Sequence, residues 1–232
     1  MVTGNSIAII PARGGSKRIP KKNIIDFCGK PMIAWTIKAA QKSNIFNRIL
    51  VSTDSEEIAE ISSSFGAEVP FMRNTAQDDH SPVSEATLSA LSQARQYWAE
   101  DYSIVVQLMP NCPLRDADDI IISFDNFLER NFSYQISCFR YGWMNPWWAH
   151  SLDGNGCPEP LFRDALQKRS QDLKSLYCPS GAIWIAAIQQ LELDKTFYGK
   201  KHTFREIPWA SAVDIDDFED LEMAKVLYAL RN

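Results

Sequence analysis

Two glycines sit among three cations in the stretch Pro11-Ala12-Arg13-Gly14-Gly15-Ser16-Lys17-Arg18, directly after an apolar run. Adjacent glycines let backbone amides turn toward a ligand, and Arg13, Lys17 and Arg18 bring positive charge to the same place. Such a loop is suited to cradling phosphate. It has neither the G-x-x-x-x-G-K-[ST] spacing of a P-loop nor the G-x-G-x-x-G of a dinucleotide site. Lys21, Lys22 and Asn23 follow closely enough to return two further cations to the same spot. A solvated basic turn is the plainer reading, but the glycine pair behind a buried strand argues against it.

Asp214-Ile215-Asp216 is the second chemical signal. Alternate residues of an extended segment point the same way, so both carboxylates can face one ion. Oxygen donors suit Mg²⁺, which takes one or two protein carboxylates and completes its shell with phosphate. The pair also precedes a helix, where Asp216 or Asp217 could serve as N-cap; Asp214 lies too early for that. The five cysteines are an odd number without a C-x-x-C spacing, and His80, His150 and His202 are scattered. A disulfide framework, a cysteine–zinc site and a histidine cluster are therefore not expected.

Strands and helices must hold these groups. The pattern predicts strands over 6–11, 48–53, 103–108 and 181–187. Helices are expected over 31–43, 55–65, 82–100, 117–130 and 217–230, with Asp54 or Ser55, then Asp116, as caps and Gly66 as a stop. Strand–helix alternation of this kind makes an α/β fold, a mostly parallel sheet flanked by helices. The pattern loosens over 141–180, which holds the aromatic run Trp143-Met144-Asn145-Pro146-Trp147-Trp148. That segment reads as a lobe inserted between 1–140 and 181–232. The formal net charge of −5 across 232 residues disfavours nucleic acid as partner. No apolar run reaches the roughly 18 residues of a membrane span, so a cytoplasmic protein is expected.

The loop in its extended form, 11–23 followed by Gly29-Lys30-Pro31, resembles the nucleotide-binding signature of the N-acylneuraminate (CMP-sialic acid) cytidylyltransferases. Val51-Ser52-Thr53-Asp54, the segment 107–115 with Pro110-Asn111-Cys112-Pro113-Leu114-Arg115, Gly181-Ala182-Ile183-Trp184 and Val213-Asp214-Ile215-Asp216 agree in order. The resemblance implies a Rossmann-like nucleotidyltransferase fold. It implies transfer of CMP from CTP to the anomeric hydroxyl of a nine-carbon 2-keto-3-deoxy sugar acid, with pyrophosphate release and Mg²⁺ dependence. Ala12, Arg13, Gly14, Gly15, Ser16, Lys17, Arg18, Lys22 and Asn23 would then bind nucleotide, with Arg13 and Lys22 catalytic and Lys22 on the α-phosphate. Asp214 and Asp216 would be the metal site. Arg73 and Ser81 match the cytosine-reading segment, and Gln107 matches a glutamine near the ribose or the sugar acid. Arg115 is expected to be structural, tying down the turn that precedes it.

Two departures from the family pattern bear on the sugar. Cys178-Pro179-Ser180 stands where the family often reads Arg-Pro-Asn, and Trp147 and Trp148 occupy the region of a common lysine. Arg163 and Arg169, with Lys168 and Lys174 nearby, are the expected replacements for carboxylate recognition. The aromatic run and the family together imply a homodimer whose lobe, 141–180, reaches the partner's site. A diacetamido relative of sialic acid (legionaminic or pseudaminic) fits as substrate, and an eight-carbon acid such as Kdo is the alternative. A phosphatase is disfavoured because its D-x-D follows the first strand, and a non-catalytic nucleotide-binding module has no need to keep Lys22 and both aspartates.

Overall fold

β1 (Ser6–Pro11) is buried along its whole length, and its side chains alternate between two cores. Ile7 and Ile9 face one apolar cluster, Ala8 and Ile10 the other. A strand buried on both faces has no polar side to show, which is why the run is unbroken. In the computed structural model, residues 5–73 and 82–231 are described.

Six strands form the central sheet. β4 (Arg48–Ser52) and β5 (Ile104–Gln107) pair with β1 in parallel, and β10 (Thr203–Glu206) pairs in parallel with β6 (Tyr134–Arg140). β9 (Tyr177–Ala187) joins the two groups antiparallel, giving the order β10-β6-β9-β5-β1-β4. The expected mostly parallel sheet flanked by helices is observed. α1 (Met32–Ser43), α2 (Glu56–Ser64) and α4 (Ala117–Arg130) cover one face. α3 (Val83–Trp98) and α5 (Ile188–Asp194) cover the other. The caps work as read: Ser55 Oγ accepts from the Ile58 amide, and Asp116 and Asp119 form a reciprocal capping box before α4.

A third core matters most for the site. The short hairpin of β2 (Asp26–Phe27) and β3 (Lys30–Pro31) and the last helix, α6 (Phe218–Arg231), enclose Ile19, Phe27, Met32, Leu114, Ile215 and Leu221. This cluster fastens the loop after β1 to the segment before α6, nearly two hundred residues away in the chain.

The segment 141–180 differs in one respect from the reading above. β9 starts at Tyr177, paired with Arg140, so the last residues of that segment belong to the sheet. β5 pairs only with Trp184–Ala187 of β9. Pro179, with no N–H to donate, therefore falls where β9 has a single neighbouring strand. The rest of the lobe carries a small hairpin of β7 (His150–Leu152) and β8 (Pro158–Pro160). Trp143 is 85% exposed, and Met144, Leu152 and Leu161 are exposed beside it in sequence. Among the described residues no helix is long and apolar enough to cross a membrane.

Because Ile9 is fully buried on a strand paired on both sides, Ile9→Val is expected to cost about 1 kcal/mol and Ile9→Ala about 3 kcal/mol. At roughly 2–4 °C per kcal/mol for a chain of this size, Ile9→Ala lowers Tm by about 6–12 °C in a thermal melt.

Candidate functional site

All five parallel strands end at one edge of the sheet, where open α/β sheets bind their ligands. The segments after β1, β4 and β5 meet there with the start of β9 and the approach to α6.

The two glycines of the first loop have different surroundings. The Gly14 amide donates to Asp54 Oδ1 at 2.7 Å, and a Cβ on Gly14 would stand 3.0 Å from Ser55 Cβ. Close packing on the start of α2 thus excludes a side chain, and Asp54 takes an amide that the sequence suggested would face a ligand. A Cβ on Gly15 would meet nothing within 4 Å, so that glycine borders open space. Buried Asn23 donates to the Arg13 carbonyl at 2.9 Å and fixes the loop from beneath. Arg73 is buried near the same loop. Loss of solvent lowers its guanidinium pKa, Asp54 opposes this, and Arg13 adds to it.

Lys21 and Lys22 part company. Lys21 adopts a left-handed conformation and pairs with Glu57 on α2 at 2.7 Å. Lys22 turns inward, donating to the Ile215 carbonyl at 2.9 Å and to Asp216 Oδ1 at 3.0 Å. Arg18 Nη2 meets the other oxygen of Asp216 at 2.9 Å. Two loop cations therefore hold one carboxylate of the aspartate pair.

Ile215 explains how the pair is displayed. Its side chain is fully buried in the third core, which turns Asp214 and Asp216 on either side of it the opposite way. Capping falls to other residues. Asp217 Oδ1 accepts from the Asp220 amide, and Asp220 Oδ2 accepts from the amides of Asp216 and Asp217. The side chain of Asp216 is left for Arg18 and Lys22. Burial works to raise its pKa, but the two cations outweigh it and hold the carboxyl below its usual range.

Asp214 keeps solvent access on one side while protein crowds it on the others. Its carboxyl is pushed up to about 6, first by burial and then by the charge of Asp216, with Lys22 opposing. Asn111, from the turn after β5, donates its side-chain amide to Asp214 Oδ1. Gly181 of β9 lies close by: a Cβ there would stand 3.0 Å from Met109 Cγ and 3.4 Å from Asp214 Oδ2.

The donor set is oxygen only. Among the described residues no group of three or more His, Cys, Asp or Glu could hold a metal alone. Two carboxylates with Lys22 and Arg18 beside them instead suit a hard divalent ion that shares its shell with a bound polyanion.

The other expected residues lie in different surroundings. Gln107 is completely buried, its Oε1 accepting from Thr87 Oγ1 at 2.6 Å. Arg115 is buried too: its backbone amide donates to the Cys112 carbonyl of the preceding turn at 3.4 Å, and its guanidinium donates to the Ala182 carbonyl of β9 at 2.8 Å. Burial lowers its pKa to about 10. Lys17 is exposed and Ser16 half-buried. Arg163 and Arg169 stand on the lobe, with no contact to the loop or the aspartate pair among the described residues. Arg163 lines a lobe cavity of about 710 Å³ with Trp147, Phe162, Lys168 and Lys174, and Arg169 pairs with Asp172 at 2.8 Å. Ser81 lies outside the described residues.

Two residues with a part in the site have no site role in the sequence reading, where Asp54 stands as a candidate cap and Asn111 has no role. Asp54 and Asn111 both stand in stretches that matched the family pattern, just past the ends of β4 and β5. That position at a strand's carboxyl end was the signal available.

The family model for cytidylyltransferases matches residues 7–230. The chain is 34% identical over 230 residues to the pseudaminic acid cytidylyltransferase of Campylobacter jejuni, covering 98% of this chain and 97% of that one. It is 32% identical over 197 residues to the CMP-N,N'-diacetyllegionaminic acid synthase of Legionella pneumophila, covering 84% of this chain and 83% of that one. Among solved structures, CMP:2-keto-3-deoxy-manno-octonic acid synthetase complexed with CTP superposes with a TM-score of 0.69. It is 17% identical, with 98% of this chain and 100% of that one covered.

Because capping rests on Asp217 and Asp220, Asp216→Asn is expected to leave Tm within about 2 °C of wild type. Asp217→Ala is expected to cost about 1 kcal/mol and to lower Tm by roughly 2–4 °C. Thermal melts of the two variants check the assignment.

Proposed function

Because the chain belongs to the cytidylyltransferase family, we propose that it transfers CMP from CTP to the anomeric hydroxyl of a nine-carbon 2-keto-3-deoxy sugar acid. The anomeric hydroxyl oxygen bonds to the α-phosphorus and gives up its proton to solvent as the bond from that phosphorus to the bridging oxygen breaks, and pyrophosphate leaves with the electron pair of that bond. The observation that carries this reading is the pairing of Lys22 and Arg18 with Asp216, beside Asp214, at the carboxyl edge of the sheet.

Phosphoryl chemistry of this kind needs positioning and charge neutralisation more than covalent help. Arg13, Lys17 and Arg18 hold the β- and γ-phosphates and take up the charge that grows on the leaving pyrophosphate. Lys22 serves the α-phosphate, where charge develops in the transition state. The phosphates replace Asp216 as partners of Lys22 and Arg18, which frees that carboxylate. Asp214 and Asp216 are the residues that would hold Mg²⁺, an ion that neutralises phosphate charge when bound. Asn23 acts on the loop through the Arg13 carbonyl, and Arg73 with Ser81 serves the base.

The relatives named for pseudaminic and diacetyllegionaminic acids favour a diacetamido nonulosonic acid over an eight-carbon one. On the lobe, Arg163, Lys168 and Lys174 suit a carboxylate, and the aromatic walls of their cavity suit acetamido methyl groups. The exposed Trp143, Met144, Leu152 and Leu161 favour a homodimer in which the lobe of one copy closes the sugar site of the other. Arg169, held by Asp172, supports the lobe.

Three outcomes are expected. Pyrophosphate release from CTP and Mg²⁺ is fastest with diacetamido nine-carbon acids, with kcat/KM at least about tenfold lower for an eight-carbon acid; equal rates with both would remove the assigned substrate class. Asp214→Asn lowers kcat by about 10²-fold, the scale of one lost electrostatic stabiliser. Mixing Lys22→Ala chains with Arg163→Ala chains restores activity to the mixed dimer. A fully active monomer would contradict the shared site.

A further inference from the structure

Asn111 meets the aspartate segment at three points. Its side-chain amide donates to Asp214 Oδ1 and to the Ile215 carbonyl at 3.3 Å. Its own carbonyl accepts from the Ile215 amide at 2.9 Å. The residue is itself buried, 5% exposed, in a turn held between Pro110 and Pro113 at the end of β5. Few rotamers remain to a side chain placed in this way.

The three contacts act on two separate variables. The backbone pair and the bond to the Ile215 carbonyl set the height of the 213–216 segment against the turn after β5. The bond to Asp214 sets the rotation of one carboxylate. With Oδ1 engaged by Asn111 and Gly181 offering no side chain, Oδ2 is the oxygen on the β9 side. The charge of Asp216 repels Asp214, so an untethered Asp214 would rotate away from its neighbour. The Asn111 amide holds Oδ1 against that rotation without adding a cation that a metal ion would have to displace.

We propose that Asn111 is a positioning residue: by holding Asp214 Oδ1 it presents the remaining oxygen of Asp214 together with Asp216 to one divalent cation, and so sets the affinity for the metal–nucleotide complex. The inference rests on the reading of Asp214 as a metal ligand, and its test separates the two.

The quantity to measure is the ratio of dissociation constants for CTP in EDTA and for Mn²⁺·CTP, by titration calorimetry without sugar acid. Leucine is nearly isosteric with asparagine, so Asn111→Leu keeps the packing, and Asn111→Ala is a second variant should leucine perturb the turn. Wild type should bind Mn²⁺·CTP more tightly than CTP, and Asn111→Leu should shrink that ratio about five- to tenfold while the constant for CTP in EDTA stays within twofold. In an Asp214→Asn background, Asn111→Leu should change the ratio no further, because residues acting through one contact are not additive. An unchanged ratio in Asn111→Leu and Asn111→Ala, or an equal loss with and without Asp214, overturns the positioning role. An Asp214→Asn chain with the wild-type ratio overturns the metal reading itself.

Discussion

Two carboxylates on the same side of one extended segment repel each other, and the arrangement of the cleft follows from how that repulsion is met. Burying Ile215 in the third core forces Asp214 and Asp216 outward together. The chain then treats them unequally. Asp216 receives Lys22 and Arg18 and stays ionised, whereas Asp214 is hydrogen-bonded by the neutral amide of Asn111 and is pushed up to about 6. One aspartate is thus stabilised by charge, and the other keeps a raised pKa beside an uncharged donor.

The same pairing determines what the fold has to build. Lys22 and Asp216 belong to opposite ends of the chain, and the third core, with the Asn111 contacts to the aspartate segment, brings them together. The β2–β3 hairpin, the start of α1 and the packing face of α6 all contribute to it. Buried charge pairs are weak sources of stability, because desolvation consumes most of the attraction. The side chain of Lys22 is 15% exposed and that of Asp216 is 42% exposed. The arrangement makes better sense as a site prepared for a polyanion than as a fastening of the fold.

Much of this was legible in the residues. The glycine–cation loop, the D-I-D segment and the strands at 6–11, 48–52 and 104–107 all have local signatures, either an unbroken apolar run or a turn with matched caps. β6 was harder to see. Gln135 and Ser137 alternate with apolar neighbours as though they faced water, yet both are buried, bonded to the Ser123 carbonyl and the Ile183 amide. β10 and α5 are short and take their stability from neighbours. The roles of Asp54 and Asn111 could not be read locally, because each is defined by a partner 40 or 103 residues distant. Composition could not separate Lys21 from Lys22 either: the left-handed turn at Lys21 sends one to the surface and the other into the cleft.

On the proposed function, the loop cations and the aspartate pair act as one electrostatic unit that exchanges its internal ion pair for a metal–nucleotide complex. An anomalous difference map from crystals grown with Mn²⁺ and CTP tests it most directly. A single Mn²⁺ peak bonded to both Asp214 and Asp216, with Lys22 and Arg18 moved from Asp216 to phosphate oxygens, is the expected result. A peak on the phosphates alone, with Asp216 still paired to Lys22 and Arg18, would contradict it.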